Sequence, residues 1–386
     1  MLLVRNAELY DPEPRGRRDI LVAGGRIVAV EESIDPSSLP VPCRVVEAAG
    51  RVTTPGLVDG HVHVTGGGGE GGFRTRTPEL SLTDATLAGV TTVVGMLGTD
   101  GVARSVEALV AKAYALREEG LSAWCCTGSY RFPPVTVTGD VMKDIMMIDP
   151  VIGLGELALS DHRSTKPTDD ELARVAAEAR LGGMLSGKAG IVVVHLGDAP
   201  EGMAALERVV SRGDLPRTQF MPTHCNRNPR LMEEAVAWAR AGGHIDFTAG
   251  SSDGGAAAAL VRLRGEGTPT TRASVSSDGQ GSLPRFDAAG VLVGMGVGSC
   301  RALLETVREA VGRHGLPLGE VLATVTANPA RALGLARKGR IAPGMDADIL
   351  ILDEGLTPTT VLAMGRVMVF DRTPEVFGTF EESPGR

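Results

Sequence analysis

A chain of 386 residues with a formal net charge of −8 and aromatic side chains at only 3% has room for one large barrel of roughly 250 residues plus a smaller unit. It carries no basic block to meet nucleic acid or an anionic membrane, and no run of ~18 uninterrupted apolar residues to cross a bilayer. The 51 glycines and 23 prolines fall between apolar runs instead of forming low-complexity tracts, so the chain reads as globular, with a small molecule as its expected partner.

The opening MLLVRNAELYDPEPRG mixes acids and prolines into its apolar residues and lacks the apolar centre of a signal peptide. Cys43, Cys125, Cys126, Cys225 and Cys300 form no CxxC pair and read as reduced thiols, which points to a cytoplasmic protein. Residues 1–54 then give short strands with turn signals, DILVAGGRIVAV and CRVVEAAGRVTT.

From residue 55 the pattern changes. Eight short apolar runs follow: GLVDGHVHV (56–64), VTTVVGMLG (90–98), LSAWCCTGSY (121–130), VIGLGELALSD (151–161), IVVVHLGD (191–198), QFMPTHCN (219–226), HIDFTAG (244–250) and ASVSSDGQGS (273–282). Between them lie segments such as SVEALVAKAYALREEG and DDELARVAAEARLGGML, with apolar residues at i, i+3, i+4 and i+7 as in amphipathic helices. Eight such units in series predict the α/β class, as a (β/α)8 TIM-like barrel over residues 55–339. Beyond it, GRIAPGMDADILILD and TVLAMGRVMVFD return to short strands. Neither flank could bury a face alone, so residues 1–54 and 340–386 are expected to join in one small β-sandwich domain.

Four of the seven histidines end predicted barrel strands: His61 and His63 in GHVHV, His195 in VVVHLGD and His224 in MPTHCN, while Asp278 ends the eighth run. Residues i and i+2 of a strand point to one side, so His61 and His63 can both face the interior. In a barrel all these ends gather at the carboxyl-terminal face, where active sites of this architecture lie. A single strand-end histidine is more often a hydrogen-bonded structural residue, but four with an aspartate at the same end suit zinc or a similar divalent ion. His61, His63 and Asp278 would hold one ion, and His195 with His224 a second. Glu156, inside the fourth run, is a carboxylate among apolar residues and needs a partner. A metal bridge between the two ions gives it one, and an ion pair with Arg163 or another strand-end base is the alternative.

The order HVH, His, His, Asp over the first, fifth, sixth and eighth strands resembles the amidohydrolase superfamily. GHVHVTGGGGEGG, TRTPE, GTDG, TGSYRFP, SDHRS, PTHCNRN and SSDGQGS resemble, in order and spacing, its isoaspartyl dipeptidase family over nearly the whole chain. That resemblance implies a homo-oligomeric, zinc-dependent hydrolase that cleaves β-aspartyl dipeptides by metal-activated water, with two zinc ions or one per subunit. It implies metal ligands at His61, His63, His195, His224 and Asp278, with Asp278 also moving the proton. Glu70 and Thr99 would meet the substrate's ammonium, Arg163, Arg227 and Ser282 its carboxylates, and Tyr130 the scissile carbonyl. The family carries a carbamylated lysine on the fourth strand where this chain has Glu156, an equal charge on a shorter arm. Two other readings remain open at this point: a different amidohydrolase, such as an N-acyl amino acid deacylase or cyclic-amide hydrolase, and a non-catalytic scaffold on the same barrel.

Overall fold

The computed structural model describes residues 1–250, 255–286 and 292–383; the last three residues of the carboxyl-terminal flank lie outside them. The strands in chain order are β1 (Leu2–Asp11), β2 (Glu13–Ala23), β3 (Arg26–Glu31), β4 (Arg44–Glu47), β5 (Val52–Pro55), β6 (Leu57–Val62), β7 (Val90–Gly95), β8 (Ser122–Thr127), β9 (Val151–Leu159), β10 (Ile191–Leu196), β11 (Phe220–Thr223), β12 (Ile245–Thr248), β13 (Ala273–Ser276), β14 (Ser282–Phe286), β15 (Leu292–Val297), β16 (Ile349–Leu352), β17 (Pro358–Ala363), β18 (Arg366–Phe370) and β19 (Thr373–Pro374). Each of the eight predicted runs contains one strand of the series β6 to β13.

Strands β6 to β11 pair in sequence as a six-stranded parallel sheet, and β12 and β13 form a parallel pair. Backbone hydrogen bonds close the ring on both sides of that pair: Cys225 N donates to Asp246 O at 3.2 Å, and His63 N to Gly279 O at 2.8 Å. The connecting helices obey the capping rules that their sequences suggest. The helix α1 (Val106–Glu119) starts at Ser105, whose side chain accepts from Ala108 N, and stops at Gly120 in the left-handed region. In α2 (Asp169–Ser186) Thr168 and Glu171 form a capping box. Inside the ring, Val58, Val94, Cys126, Ile152, Val193 and Met221 make an apolar plug against which Ala330, Leu333 and Leu335 pack, leaving the opposite, carboxyl-terminal rim for polar residues.

The flanks meet as one nine-stranded mixed sheet, in the order β19-β18-β17-β16-β5-β1-β2-β3, with β4 paired to β1. The two ends of the chain join where β5 pairs antiparallel with β16. The predicted sandwich is therefore a single sheet that curls, until Ile27 N donates to Met345 O at 2.9 Å and the inner face has its own core. The alternation in β16 shows how: Ile349 and Ile351 enter that core, while Leu350 and Leu352 face the barrel's helices. An unbroken apolar ILIL is what a strand buried on both faces requires.

One buried cation fastens sheet to barrel. Lys338 Nζ lies 2.9 Å from Asp346, 2.7 Å from Asp348 and 2.6 Å from Ser122 Oγ at the start of β8. Breaking a buried pair from one side leaves uncompensated charge, at a cost of about 3–5 kcal/mol. Lys338→Ala is expected to lower the thermal unfolding midpoint by several degrees, followed by circular dichroism. An unchanged midpoint would mean that this triad contributes nothing net.

Candidate metal centre and substrate cleft

The rim is built from strand ends whose backbone turns inward. His61 on β6 and His63 just past its end are 0% and 5% exposed. His195 is the fifth residue of β10. His224 and Asp278 stand just past β11 and β13 with φ of 62° and 51°, a conformation that costs a non-glycine residue about 1–2 kcal/mol and recurs at functional sites.

Glu156 reaches the same point through an irregularity in β9. The register with β10 runs Val192 to Leu154 and then Val194 to Leu157, so Gly155 and Glu156 together oppose Val193 in a β-bulge. Leu154 and Leu157 both pack into the outer core although they are three residues apart. The extra residue resets the inward and outward alternation and lets Glu156 face inward. Gly155 makes room: a Cβ there would lie 2.8 Å from Val193 Cβ and 3.0 Å from Val193 O.

The outcome is a carboxylate with no exposure whose two oxygens divide the histidines. Oε1 lies 3.3 Å from His61 Nε2 and 3.5 Å from His63 Nε2. Oε2 lies 3.2 Å from His195 Nδ1 and 3.7 Å from His224 Nε2. Asp278 Oδ1 closes the first group, 3.0 Å from His63 and 3.8 Å from His61. Two triads, His61–His63–Glu156 and Glu156–His195–His224, therefore share one glutamate and could each hold a metal ion. Arg163, the alternative partner for Glu156, is instead engaged by Asp161 and Glu70.

The donor set fits a divalent metal. Among the described residues, His61 Nδ1 and Nε2, Glu156 Oε1 and Asp278 Oδ1 are buried without a hydrogen-bond partner, a costly state unless an ion completes it. His63 Nδ1 faces Met96 O at 3.2 Å, and His224 Nδ1 faces Thr248 Oγ1 at 2.6 Å. Such outer contacts leave the other ring nitrogen of each free to ligate. Burial would push the Glu156 carboxyl up, but His61, then His195 and His224, hold it well below the usual range. His61 goes the other way: burial disfavours its charge, yet Glu156 and Asp278 bring it to about 10. Burial and the neighbouring His195 push His224 down to about 3. A histidine must be deprotonated at its ligating nitrogen to hold an ion, so protons and metal compete for this site.

Beside this centre opens a cleft of about 580 Å³ lined by Glu70, Thr99, Tyr130, Arg163, Arg227 and Ser282 among others. Glu70 accepts from Thr99 Oγ1 and Arg163 Nη1, both at 3.0 Å, and from Ser282 Oγ at 3.3 Å. The Tyr130 hydroxyl is 2.7 Å from His195 Nδ1, and burial, then the Glu156 charge, raise its pKa well above 10, so it stays a neutral donor. Every candidate site residue is thus at the metal centre or in the cleft. Sequence reading passed over Asp161, the buried partner of Arg163 and His195, although SDHRS places it two residues from Arg163. It also passed over Asp246, which accepts from Thr223, Ser274 and Ser276 beneath the histidines.

If the bulge is what aims Glu156, then Gly155→Ala should leave the barrel folded but destabilised by about 1–3 kcal/mol, with bound metal falling below the wild-type stoichiometry. Elemental analysis after dialysis decides this, and full metal content would reject the role of the glycine.

Residues 52–379 match the model of the amidohydrolase family. The beta-aspartyl dipeptidase of Fervidobacterium islandicum AW-1, solved with a beta-Asp-Leu dipeptide, superimposes with a TM-score of 0.93 at 44% identity over 98% of both chains. A second structure of the enzyme from that organism gives 0.91 at 42%, covering 98% of this chain and 99% of the other. An adenine deaminase of Deinococcus deserti is 28% identical over 91% of this chain, which spans only 56% of that protein's length. With the ring of eight strands, the histidine and carboxylate rim and the full-length match together, the chain belongs to the amidohydrolase family.

Proposed function

We propose that the protein is a zinc-dependent β-aspartyl dipeptidase that hydrolyses the isopeptide bond between an aspartyl side-chain carbonyl and the amine of the next residue. The observation that carries the reading is the placement of a cleft lined by charges of both signs, with Glu70 and Arg163 paired at its wall, against two metal triads joined by Glu156. A β-aspartyl dipeptide has one ammonium and two carboxylates. Glu70 and Thr99 suit the ammonium, and Arg163, Arg227 and Ser282 suit the carboxylates, since a guanidinium pairs with carboxylate through a fork of donors.

His61, His63 and Asp278 would hold one zinc and His195 with His224 the other, with Glu156 between them. A bound zinc supplies Lewis acidity that makes water acidic enough to attack near neutral pH. Asp278 accepts the proton of the attacking water and returns it to the leaving amine. The Tyr130 phenol donates to the carbonyl oxygen as negative charge gathers there. That each Glu156 oxygen already faces one histidine pair supports a two-metal site despite the short side chain. A carboxylate built into the chain needs no carbon dioxide to form, unlike the family's carbamylated lysine.

The same reading takes 55–339 as the catalytic barrel and 1–54 with 340–386 as the accessory domain, in a cytoplasmic homo-oligomer. No helix among the described residues is long and apolar enough to cross a membrane. The exposed Leu181, Met184 and Leu185 of α2, at i, i+3 and i+4, support contact with a second copy.

Purified protein should release aspartate and leucine from β-Asp-Leu, lose activity to a chelator, recover it with zinc and show no dependence on bicarbonate. No turnover, or strong bicarbonate activation, would count against the substrate or against Glu156 respectively. Asp278→Asn should lower kcat by about 10²-fold or more with a modest change in KM, and an unchanged kcat would remove Asp278 from proton transfer.

A further inference from the structure

We propose that Asp161 is a positioning residue that couples the substrate clamp to one metal triad by holding Arg163 and His195 together; this rests on the site reading given above. Asp161 stands two residues past the end of β9 and is 6% exposed. Its Oδ1 accepts from the backbone N of Arg163 at 2.8 Å and from Arg163 Nε at 2.9 Å. Its Oδ2 accepts from Arg163 Nη2 at 2.8 Å and lies 3.0 Å from His195 Nε2. His162 Nδ1, 3.5 Å from Oδ1, is on a ring that is 88% exposed and adds little.

The shared oxygen decides the state of the imidazole. Arg163 Nη2 is also 3.2 Å from His195 Nε2, and a guanidinium has no acceptor. A carboxylate only accepts, so the 3.0 Å contact with Asp161 Oδ2 is a hydrogen bond when His195 carries its proton on Nε2, and Arg163 Nη2 donates to the same oxygen. Its lone pair is then on Nδ1, which accepts from the Tyr130 hydroxyl at 2.7 Å and faces Glu156 Oε2 at 3.2 Å. The hydrogen bond at one ring nitrogen of a histidine fixes which nitrogen is left for a metal, so Asp161 selects Nδ1 as the ligand atom. With Nδ1 protonated instead, the nitrogen aimed at Glu156 could not bind an ion.

The carboxylate is held rigidly enough to do this. Gly197, two residues past His195, passes so close that a Cβ there would lie 2.5 Å from Asp161 Cβ and from Ser160 O. Ala199 N donates to Ser160 O at 2.8 Å, so the segments leaving β9 and β10 are fastened to each other. On its far side Arg163 reaches Glu70 through Nη1 at 3.0 Å. A continuous line of contacts, Glu70 to Arg163 to Asp161 to His195, runs from the ammonium end of the cleft to the metal centre.

The test is zinc binding by chelator competition together with β-Asp-Leu kinetics at saturating zinc, on the full chain and on Asp161→Asn and Arg163→Met. Asp161→Asn is expected to weaken one of the two zinc equivalents by about 10- to 100-fold and also to raise KM by about tenfold or more. Arg163→Met should raise KM comparably while zinc affinity stays within about twofold, because Asp161 still holds His195. Wild-type zinc affinity in folded Asp161→Asn would overturn the proposal. Nitrogen-15 spectra of the zinc-loaded wild type give a second measurement that needs no variant: ligation of His195 through Nδ1 is expected, and ligation through Nε2 would overturn it. Should the wild type bind zinc but leave β-Asp-Leu intact, the substrate assignment falls, while the affinity and nitrogen-15 measurements still decide the role of Asp161.

Discussion

A single buried carboxylate organises this protein. Glu156 has no solvent exposure, and an ion so placed is stable only where opposite charge surrounds it. Its surroundings come from four other strands: β6 brings His61 and His63, β10 His195, β11 leads to His224 and β13 to Asp278. None of these groups could meet the others in a flat sheet. Closure of the strands into a ring turns residues far apart in the chain into neighbours around one point. The bulge at Gly155 and Glu156 is the local adjustment that the ring makes so that the carboxylate faces inward.

The rest of the fold serves to keep that rim fixed. The apolar plug behind the histidines and the helix layer outside the strands bury the barrel wall on both faces, so strand ends have little freedom to shift. Polar support comes from beneath. Asp59 accepts from the backbone and hydroxyl of Ser277 next to Asp278, and burial raises the carboxyl of Asp59 to about 6 against these hydrogen bonds. Asp246 gathers three hydroxyls from β11 and β13 in the same way. The terminal sheet adds mass on the outer side, anchored through Lys338, and the described residues that line the cleft come from the barrel.

Much of this was legible in the sequence because the signals were periodic. Eight apolar runs at barrel spacing stand out, and the i, i+2 placement of His61 and His63 fixes their common face. The bulge was not legible. VIGLGELAL is apolar on both faces, so it offers no alternation whose interruption would reveal a change of parity, and only the charge of Glu156 marked the place. Asp161 was hidden for another reason: beside Arg163 in a turn it reads as a local ion pair, and its contact with His195 depends on how β9 and β10 end in space. The junction of β5 with β16 joins opposite ends of the chain, which no local pattern can express.

The contact between Glu70 and Arg163 in the cleft bears on what can enter it. Their charges neutralise each other at 3.0 Å, so the cleft presents little net field along this wall. A zwitterion can exchange partners with this pair, ammonium to Glu70 and carboxylate to Arg163, and leave every charge matched. A guest with a carboxylate alone would draw Arg163 away and strand Glu70 in a partly buried wall, where an unmatched ion is costly, whereas Arg163 keeps Asp161 when an ammonium takes Glu70. Under the proposed assignments the wall works as an exchange lock, admitting molecules by the number and sign of their charges before any bond is made or broken.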